Sequence, residues 1–359
     1  MSSCFGRILR LSVFGQSHGP AIGMVLDGFP VGFPVNKESV QKFLDRRAPG
    51  NQAYATARKE ADQVQFLSGI VNGFTCGAPI AAVINNTNTR SQDYSSLKDC
   101  PRPGHADYTA QIKYRGFQDV AGGGHFSGRL TAPICIAGAL CKEWLATKGV
   151  RISAKIHSIG GIVDQEDLDP VSPDLDRIAV DFPVVDSASG KQMQEAIAQA
   201  KAKGDSLGGT IACFATGLPV GLGDPIFDGL ESRLGQILFA IPAVKGVEFG
   251  SGFQCANMCG SVHNDPYSIH NGAVVTKSNH AGGILGGISN GMPLTFRIAV
   301  KPTPSIASAQ ESVSLSAMQN KELNITGRHD PCIVPRAVAV VEAAAAIAIM
   351  DAWLQYQSY

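Results

Sequence analysis

The sequence is poor in charged residues, and the charges that it has cancel. Asp, Glu, Lys and Arg make up 17% of its 359 residues, and 30 basic side chains balance 30 acidic ones. A neutral chain lacks the broad basic surface that attracts nucleic acids and anionic membranes, so neither partner is indicated. Any cationic site must therefore be a local concentration of charge.

No apolar run is long enough to predict a membrane span. The most apolar segment, residues 338–350, is interrupted by Glu342. It falls short of the roughly 20 residues that a span needs. The first residues also lack the apolar core and the cleavage site of a secretion signal. We interpret residues 338–350 as a buried helix and expect a cytoplasmic protein without a membrane partner.

The nine cysteines form no recognisable metal-binding or disulfide pattern. Their number is odd, and only Cys255 and Cys259 lie close together in the sequence. That pair has no histidine partners at zinc-finger spacing, and no HExxH motif occurs. We therefore predict no metal site, and we interpret most of the cysteines as reduced thiols of a cytosolic protein.

Hydrophobic residues amount to 44% of the chain, which suffices for a large core and excludes a disordered protein. Strands are predicted at residues 7–13, 22–26, 64–71, 80–84, 210–215 and 294–300, and helices at 36–48, 127–147, 187–203, 230–238 and from 335 onwards. No Ser/Gly-rich or charged linker divides this order. We expect one α+β domain over residues 1–359, with apolar helices beneath sheet; separate N- and C-terminal domains are the alternative.

Five glycine-rich polar segments each contain a histidine, and three of them contain an arginine. They are GQSHG at 15–19, RPGHADYT at 102–109, GGGHFSGR at 122–129, SNHAGGILGGISNGMP at 278–293 and GRHDP at 327–331. Such loops expose backbone N–H groups and fixed cations, and guanidinium groups match phosphate and carboxylate. Together they indicate one small polyanionic substrate, with His and Asp side chains transferring protons.

Each of these loops by itself has an ordinary explanation. A single loop histidine is most often a surface residue or a satisfied hydrogen-bonding group. GGGHFSG is neither a Walker A motif nor a GxGxxG motif after a strand, and the HD pair of GRHDP fits a simple turn. Only the accumulation of the loops favours a functional site.

Seven segments match one known family, in order, along almost the whole chain. FGQSHG, RPGHADYT, GDSLGG, IPAVKGVEFGSGF, SNHAGGILGGISNGMPL, KPTPSI and GRHDPC resemble motifs of the chorismate synthase family. The resemblance implies a fold in which helices are sandwiched between antiparallel β-sheets. It also implies a carbon–oxygen lyase that converts 5-enolpyruvylshikimate 3-phosphate (EPSP) to chorismate and phosphate by anti-1,4-elimination, the last common step of the shikimate pathway.

The same resemblance implies a cofactor and an assembly. The family requires reduced FMN although its reaction has no net redox change, and its members are typically homotetramers. Bifunctional members reduce their flavin with NADPH. The resemblance therefore makes NADP, besides the flavins FMN and FAD, an expected ligand. No segment of this chain is a dinucleotide fingerprint, which argues against that second activity.

Residue by residue, the resemblance implies three catalytic groups. His18 matches the histidine that protonates or hydrogen-bonds the departing phosphate. His105 matches the histidine beside the N1–C2=O edge of reduced flavin, and Asp330 matches the aspartate that relays a proton through flavin N5. Such chemistry requires that flavin and substrate be held together with water excluded.

The resemblance also implies binding residues for the substrate and for the flavin. Arginines expected at substrate anions are Arg47, Arg102, Arg129 and Arg328. Residues expected at FMN are His125, Phe126, Ser127, Pro242, Ala243, Gly286, Lys301, Pro302, Thr303, Pro304, Ser305 and Arg328. A contact of Arg47 with NADP is implied too, although Ala48 and Ala53 stand where many members carry arginines.

Departures from the family pattern leave two other functions open. Gln16 replaces the usual glutamate of GESHG, His125 replaces an arginine, and Leu130 replaces a glutamate. A non-catalytic protein that binds flavin or a phosphoester on the same scaffold is one alternative. A lyase that acts on another phosphorylated sugar acid is the other.

Overall fold

The chain alternates antiparallel strands with helices. The computed structural model describes residues 3–48, 62–86, 97–325 and 330–357. Seven α-helices lie within these ranges: α1 (Lys37–Asp45), α2 (Asp107–Lys113), α3 (Thr131–Ala146), α4 (Ser187–Ala202), α5 (Leu230–Phe239), α6 (Gly260–His263) and α7 (Val334–Tyr356). Short 3₁₀ turns occupy Ala121–Phe126, Gly128–Leu130, Leu175–Arg177, Ile226–Asp228 and Gly252–Asn257.

Eighteen strands lie within the same ranges, and several are only two residues long. They are β1 (Cys4–Phe5), β2 (Arg10–Gly15), β3 (Ala21–Asp27), β4 (Gln65–Ser68), β5 (Ile70–Val71), β6 (Phe74–Thr75), β7 (Ile80–Asn85), β8 (Arg151–Ile159), β9 (Ile162–Val163), β10 (Gly209–Thr216), β11 (Val244–Phe249), β12 (Tyr267–His270), β13 (Ala273–Thr276), β14 (Ile284–Leu285), β15 (Ile288–Ser289), β16 (Leu294–Val300), β17 (Gln310–Ser314) and β18 (Gln319–Leu323).

Ten of these strands form two five-stranded antiparallel sheets. The first sheet has the order β1-β2-β3-β7-β4, and the second has the order β11-β16-β10-β8-β9. In the second sheet Gly209 pairs with Val300 and Ala215 pairs with Leu294, so β10 and β16 align along all of β16. The remaining strands pair as four two-stranded ribbons.

Two apolar helices fill the space between the sheets. Helices α3 and α7 pack against each other; α3 also contacts β2, β3 and β7 of the first sheet, and α7 contacts β8 and β10 of the second. Gly138 lets the helices approach closely, because a Cβ on it would lie 2.2 Å from the Cβ of Ala343. The expected sandwich of helices between antiparallel sheets is confirmed, whereas the expectation of one domain over residues 1–359 stays a prediction.

Residues 338–350 lie inside α7 and are buried, as expected. Among the described helices, α7 alone is long and apolar enough to cross a membrane, and 89% of its most apolar stretch is buried within the protein. A helix that is apolar on all sides requires neighbours on all sides, and α3, α5 and the second sheet provide them.

Glu342, the one charge in that apolar run, is buried in a network of ion pairs. Its carboxylate accepts two hydrogen bonds from Arg46, both at 2.8 Å, and pairs with Lys142. It also accepts the backbone N–H of Ala154 at 3.1 Å. Burial alone would raise the pKa of Glu342, but the charges of Lys142 and Arg46 outweigh it and lower the pKa. Glu342 thereby joins α7 to α1, α3 and β8.

The predicted elements are present, with shifted ends. Asn36 caps α1 as expected, since its side chain accepts the N–H groups of Glu38 and Ser39 at 3.1 Å. The helix predicted at 127–147 begins only at Thr131, because the 3₁₀ turn Gly128–Leu130 precedes it. The strand predicted at 64–71 is divided in two at residue 69. Strands β8 and β11 of the second sheet were not predicted.

Candidate functional site

A cavity of about 580 Å³ collects most of the predicted site residues. The predicted residues that line it are Arg47, Arg102, His105, His125, Phe126, Ser127, Arg129, Pro242, Ala243, Lys301, Thr303, Pro304, Ser305 and Asp330. They come from segments that are far apart in the sequence: the end of α1, the RPGH and GGGHFSGR loops, the turn after α5, the KPTPS segment and the start of α7. The tertiary fold therefore assembles one site from many loops.

The triple glycine at residues 122–124 lets two histidines approach one loop. Its φ angles are 60°, 83° and 54°, which lie in the left-handed region that favours glycine. A Cβ on Gly122 would lie 2.0 Å from His18 Nδ1, and a Cβ on Gly123 would lie 3.1 Å from His105 Nε2. Glycine is thus required here both for backbone conformation and for space.

His105 is oriented by a carboxylate within its own motif. His105 Nδ1 lies 2.6 Å from Asp107 Oδ1, and Arg102 donates to the same carboxylate from Nε at 2.7 Å and from Nη2 at 2.8 Å. Since an ionised carboxylate only accepts, the 2.6 Å contact assigns the Nδ1 proton to His105, and Nε2 lies beside Gly123 and 3.4 Å from Arg102 Nη2. Burial alone would raise the pKa of Asp107, but hydrogen bonds from Arg102 and His105 outweigh it and hold that pKa well below its usual range.

A second buried carboxylate holds two of the predicted substrate arginines. Arg47 Nη1 donates to Asp62 Oδ2 at 2.7 Å, and Arg129 Nη1 donates to Asp62 Oδ1 at 2.6 Å. Arg47 Nε also donates to Thr131 Oγ1 at 3.1 Å. Burial and the neighbouring Arg336 lower the pKa of Arg47 to about 10, although Asp62 acts in the opposite direction. Arg47 therefore stays charged at neutral pH.

Asp330 is held by its backbone and by one of its two carboxylate oxygens. Arg336 Nη1 donates to Asp330 Oδ2 at 2.5 Å, and Arg336 Nε donates to the carbonyl of Arg47 at 2.9 Å. Thr303 Oγ1 donates to the Asp330 carbonyl at 2.7 Å. Asp330 Oδ1 is buried and accepts no hydrogen bond from any residue that the structure describes. The cavity wall thus contains an acceptor that is available to a ligand.

Two hydrogen bonds fix the KPTPS segment against the RPGH loop. Lys301 Nζ donates to the Gly104 carbonyl at 2.6 Å, and Arg102 Nη1 donates to Ser305 Oγ at 3.1 Å. The backbone N–H of Lys301 also donates to the backbone carbonyl of Ala243 at 2.9 Å. These contacts bring the predicted cofactor residues of the KPTPS segment beside the predicted substrate arginine.

One wall of the cavity is apolar. Its aliphatic members are Ala240, Ile241, Pro242, Ala243, Ile333, Ala337 and Val340. Ala243 has a φ of 75°, a conformation that residues with a side chain seldom adopt and that concentrates at binding sites. Phe126 adds a half-exposed ring, which packs against Tyr114 with ring centroids 6.2 Å apart. This surface suits a planar aromatic ligand.

The other two predicted flavin residues of the GGGHFSGR loop also make contacts within the protein. His125 Nδ1 lies 2.8 Å from the Gly15 carbonyl, and His125 Nε2 lies 2.9 Å from Ser3 Oγ. Ser127 Oγ donates to Ser17 Oγ at 3.2 Å. Both ring nitrogens of His125 therefore bind the N-terminal strands.

Three of the predicted site residues that the structure describes do not line this cavity. His18 packs against Gly122, which does line it. Pro302 is absent from the lining although its neighbours are present, and Gly286 lies in the turn between β14 and β15. Arg328 falls outside the described residues. The roles expected for Pro302, Gly286 and Arg328 stay predictions.

Two site residues were missed by sequence reasoning, and a third was given no role. Asp107 lies inside RPGHADYT, among polar residues that indicate function, but its pairing with His105 was not predicted. Arg336 follows Pro335 in the first turn of α7, where it was read only as part of a helix start. Asp62 stands in no motif, and nothing in the sequence pointed to it.

The site combines an excess of positive charge with groups able to transfer protons. Its cations are Arg47, Arg102, Arg129, Lys301 and Arg336, and its carboxylates are Asp62, Asp107 and Asp330. These five cations outnumber the three carboxylates, each of which is paired with an arginine, so the described residues leave positive charge for a ligand. The arrangement suits a small molecule with several anionic groups.

Comparisons with known proteins agree with this geometry. The family model described as chorismate synthase matches residues 9–354. The chain is 47% identical over 352 residues to the chorismate synthase of Dehalococcoides mccartyi strain BAV1, which covers 98% of this chain and 96% of that protein. It is 47% identical over 348 residues to that of Korarchaeum cryptofilum, with 97% and 96% covered. A crystal structure of a chorismate synthase superposes with a TM-score of 0.77 at 30% identity, and the match covers 98% of this chain and 93% of that one.

Proposed function

This chain belongs to the chorismate synthase family, and we propose that the cavity between Arg47, His105 and Asp330 is its active site. The chain is a lyase that eliminates phosphate from EPSP to give chorismate, the last common step of the shikimate pathway. One observation supports this placement of the site: His105, Asp330 and the three predicted substrate arginines of the described chain line one cavity, and His18 packs against the glycine loop of that cavity.

The charge of the site supports EPSP as the ligand. EPSP carries a phosphate and two carboxylates, and the cavity presents Arg47, Arg102 and Arg129 from three separate segments. Guanidinium groups bind both kinds of anion through paired N–H donors. The buried carboxylates beside these arginines fix their positions, and the local charge is positive because the cations of the site outnumber its carboxylates.

The residues present fit a reduced flavin. The apolar wall suits an isoalloxazine ring, the buried Asp330 Oδ1 is an acceptor to which no described residue donates, and a Cβ on Gly122 or Gly123 would crowd a histidine. Reduced FMN, when bound, supplies electron density that weakens the C–O bond to the departing phosphate. We propose that it is held by Phe126, by Pro242 and Ala243, and by the KPTPS segment at Lys301, Thr303, Pro304 and Ser305.

His105 is proposed to balance negative charge at the flavin. Asp107 fixes the proton on Nδ1, so Nε2, which lies 3.4 Å from Arg102 Nη2, is the nitrogen proposed to meet the flavin. A second proton on Nε2 creates an imidazolium that the Asp107 carboxylate stabilises at 2.6 Å. Asp107 therefore prepares His105 to donate to an anion without reorganising during the reaction.

We propose that His18 and Asp330 act on the two groups that the substrate loses, the phosphate and the C6 proton. His18 lies against Gly122 at the cavity wall and is assigned to protonate or hydrogen-bond the leaving phosphate. One buried oxygen of Asp330 accepts no hydrogen bond from the part of the chain that the structure describes, and Asp330 is assigned to receive the proton lost from C6 of the substrate. Arg336 holds the other oxygen and so keeps the acceptor in place.

Assembly, location and flavin reduction are also matters of proposal. We propose a cytoplasmic homotetramer, as the family resemblance implies, and light scattering of the purified protein tests the assembly. We expect no reduction of FMN by NADPH, because Arg47 is buried against Asp62 and Ala48 stands where many members carry an arginine. NADPH oxidation coupled to FMN reduction by the pure protein would contradict this expectation.

An anaerobic assay tests the proposed function. Purified protein with reduced FMN should release phosphate from EPSP, and the same protein with oxidised FMN should not. Replacing His18 or His105 by Ala should slow turnover by about 10²–10⁴-fold, since positioned acid–base groups contribute that much. His270→Ala, an exposed change on β12, is the matched control. Absence of phosphate release by the wild-type protein would refute the proposal.

A further inference from the structure

The carboxylate of Asp62 is where two arginines from distant parts of the chain meet. Arg47 follows α1, Arg129 lies in the 3₁₀ turn Gly128–Leu130, and each donates from Nη1 to a different oxygen of Asp62. The Asp62 side chain is 0% exposed, and each arginine side chain is 6% exposed. Both arginines line the cavity, whereas Asp62 does not. Asp62 therefore contacts them from the protein side.

Gln41 fixes the backbone that carries Asp62. The Gln41 side chain donates from Nε2 to the Asp62 carbonyl at 2.9 Å and accepts the Val64 N–H on Oε1 at 3.1 Å. Since Gln41 lies on α1, the same helix that leads to Arg47 also holds the segment that bears Asp62. The carboxylate and one of its arginines thus share a rigid support.

The other donors of the two guanidinium groups are also directed by the protein. Arg47 Nε donates to Thr131 Oγ1 and Arg47 Nη2 donates to the Gly128 carbonyl at 3.3 Å, and Arg129 Nε donates to Asn86 Oδ1 at 2.8 Å. A guanidinium held at two or more points keeps one orientation, which lowers the entropy that a ligand must remove on binding. Buried ion pairs contribute little net stability, so the main effect of these two pairs is to place the guanidinium groups.

We propose that Asp62 is a positioning residue that locks Arg47 and Arg129 into a two-armed clamp for one anionic group of the substrate. This inference rests on the proposed function, because it assigns EPSP to the cavity. Asp62 touches neither substrate nor flavin; it acts through the two arginines. Of the proposed flavin-binding segments, the turn with Pro242 and Ala243 and the KPTPS segment contain neither arginine, and only Phe126 shares a loop with Arg129.

Asp62→Asn is the main test, because it keeps the shape and removes the charge. An asparagine can accept from one arginine, but it presents an NH₂ group to the other, so the clamp opens. We expect the KM for EPSP to rise by about tenfold or more, the loss typical for a hydrogen bond to a charged group. Asp45→Asn is the matched control: Asp45 also accepts from Gln41, at 2.8 Å, but it is exposed and contacts neither arginine.

The readout must separate positioning from a merely structural role. A folding defect weakens flavin and EPSP together, whereas positioning predicts weaker EPSP binding with an FMN Kd within about twofold of wild type. Calorimetric titration of the flavin-free enzyme with EPSP measures the binding without relying on turnover. Unchanged EPSP affinity in Asp62→Asn, or equal loss of FMN and EPSP affinity, overturns the inference.

A second variant decides the matter if Asp62→Asn does not fold. Gln41→Ala keeps every charge and only loosens the backbone of Asp62, so it should weaken EPSP by severalfold and leave FMN unaffected. An unchanged EPSP affinity in that variant, with Asp62→Asn unfolded, counts against the clamp. If wild-type protein neither binds nor turns over EPSP, the proposed function fails instead, and the two failures are thereby distinguished.

Discussion

The imidazole of His18 lies against the backbone of Gly122, more than a hundred residues away in the sequence. A Cβ on Gly122 would lie 2.0 Å from His18 Nδ1 and 2.7 Å from Ser17 Oγ. The glycines that flank His18 within its own GQSHG motif are thus not the ones that make room for its ring. Space for this histidine, the group proposed to act on the leaving phosphate, is provided by the GGGHFSGR loop.

Gly122→Ala should therefore impair catalysis through His18. The added methyl group must displace the imidazole, and the φ of 60° adds backbone strain. We expect turnover to fall by about a hundredfold, the lower end of the range for a positioned acid–base group. Gly235→Ala in α5 is the control, because nothing lies within 4 Å of its Cβ position. Near-normal turnover in Gly122→Ala would show that His18 is not needed where the structure places it.

Asp107→Asn should lower stability at neutral pH but not in acid. Asp107 has a folded-state pKa below its ordinary value of about 3.9, so its contribution to the free energy of unfolding is present above that value. The contribution is lost as the pH falls through the lower, folded-state pKa. We expect a loss of about 1–3 kcal/mol in denaturant unfolding at pH 7. A difference between variant and wild type that does not shrink below pH ~4 contradicts this account.

Glu342→Gln should destabilise the protein severely. The change leaves Arg46 and Lys142 without their buried partner, and breaking a buried pair from one side costs about 3–5 kcal/mol. Thermal and denaturant unfolding measure the effect. Glu195→Gln, at an exposed position on α4, provides the control and should stay within about 0.5 kcal/mol of wild type.

Thiol reagents should distinguish two classes of cysteine in the folded protein. Labelling should be confined to the exposed thiols of Cys4, Cys76, Cys255 and Cys259. The buried thiols should react only after unfolding; burial raises the pKa of both Cys135 and Cys332 to about 12, so thiolate is scarce. Mass spectrometry of labelled peptides checks the assignment. Rapid labelling of Cys135 in the native protein would show that the helical layer opens.

Local sequence patterns determined the elements and the chemistry of the loops. The Asn36 cap of α1, the strand at 294–300 and the buried helix containing residues 338–350 each follow from residues within one short window. The periodic spacing of apolar residues and the capping of helix ends each depend on a few neighbouring residues. Both can therefore be recognised in the sequence without knowledge of the fold. The loops rich in Gly, His and Arg indicated an anion site for the same reason, and the family motifs they contain implied His105 and Asp330.

Tertiary structure alone decided which groups act together. Asp62 joins Arg47 to Arg129, Arg336 holds Asp330, and Gly122 accommodates His18, and none of these pairs leaves a periodic signal in the sequence. Strands β8 and β11 were missed for a related reason, since their place is fixed by pairing with β10 and β16. Contacts between distant segments depend on how the sheets and helices pack, and a linear pattern records only the neighbours of each residue along the chain.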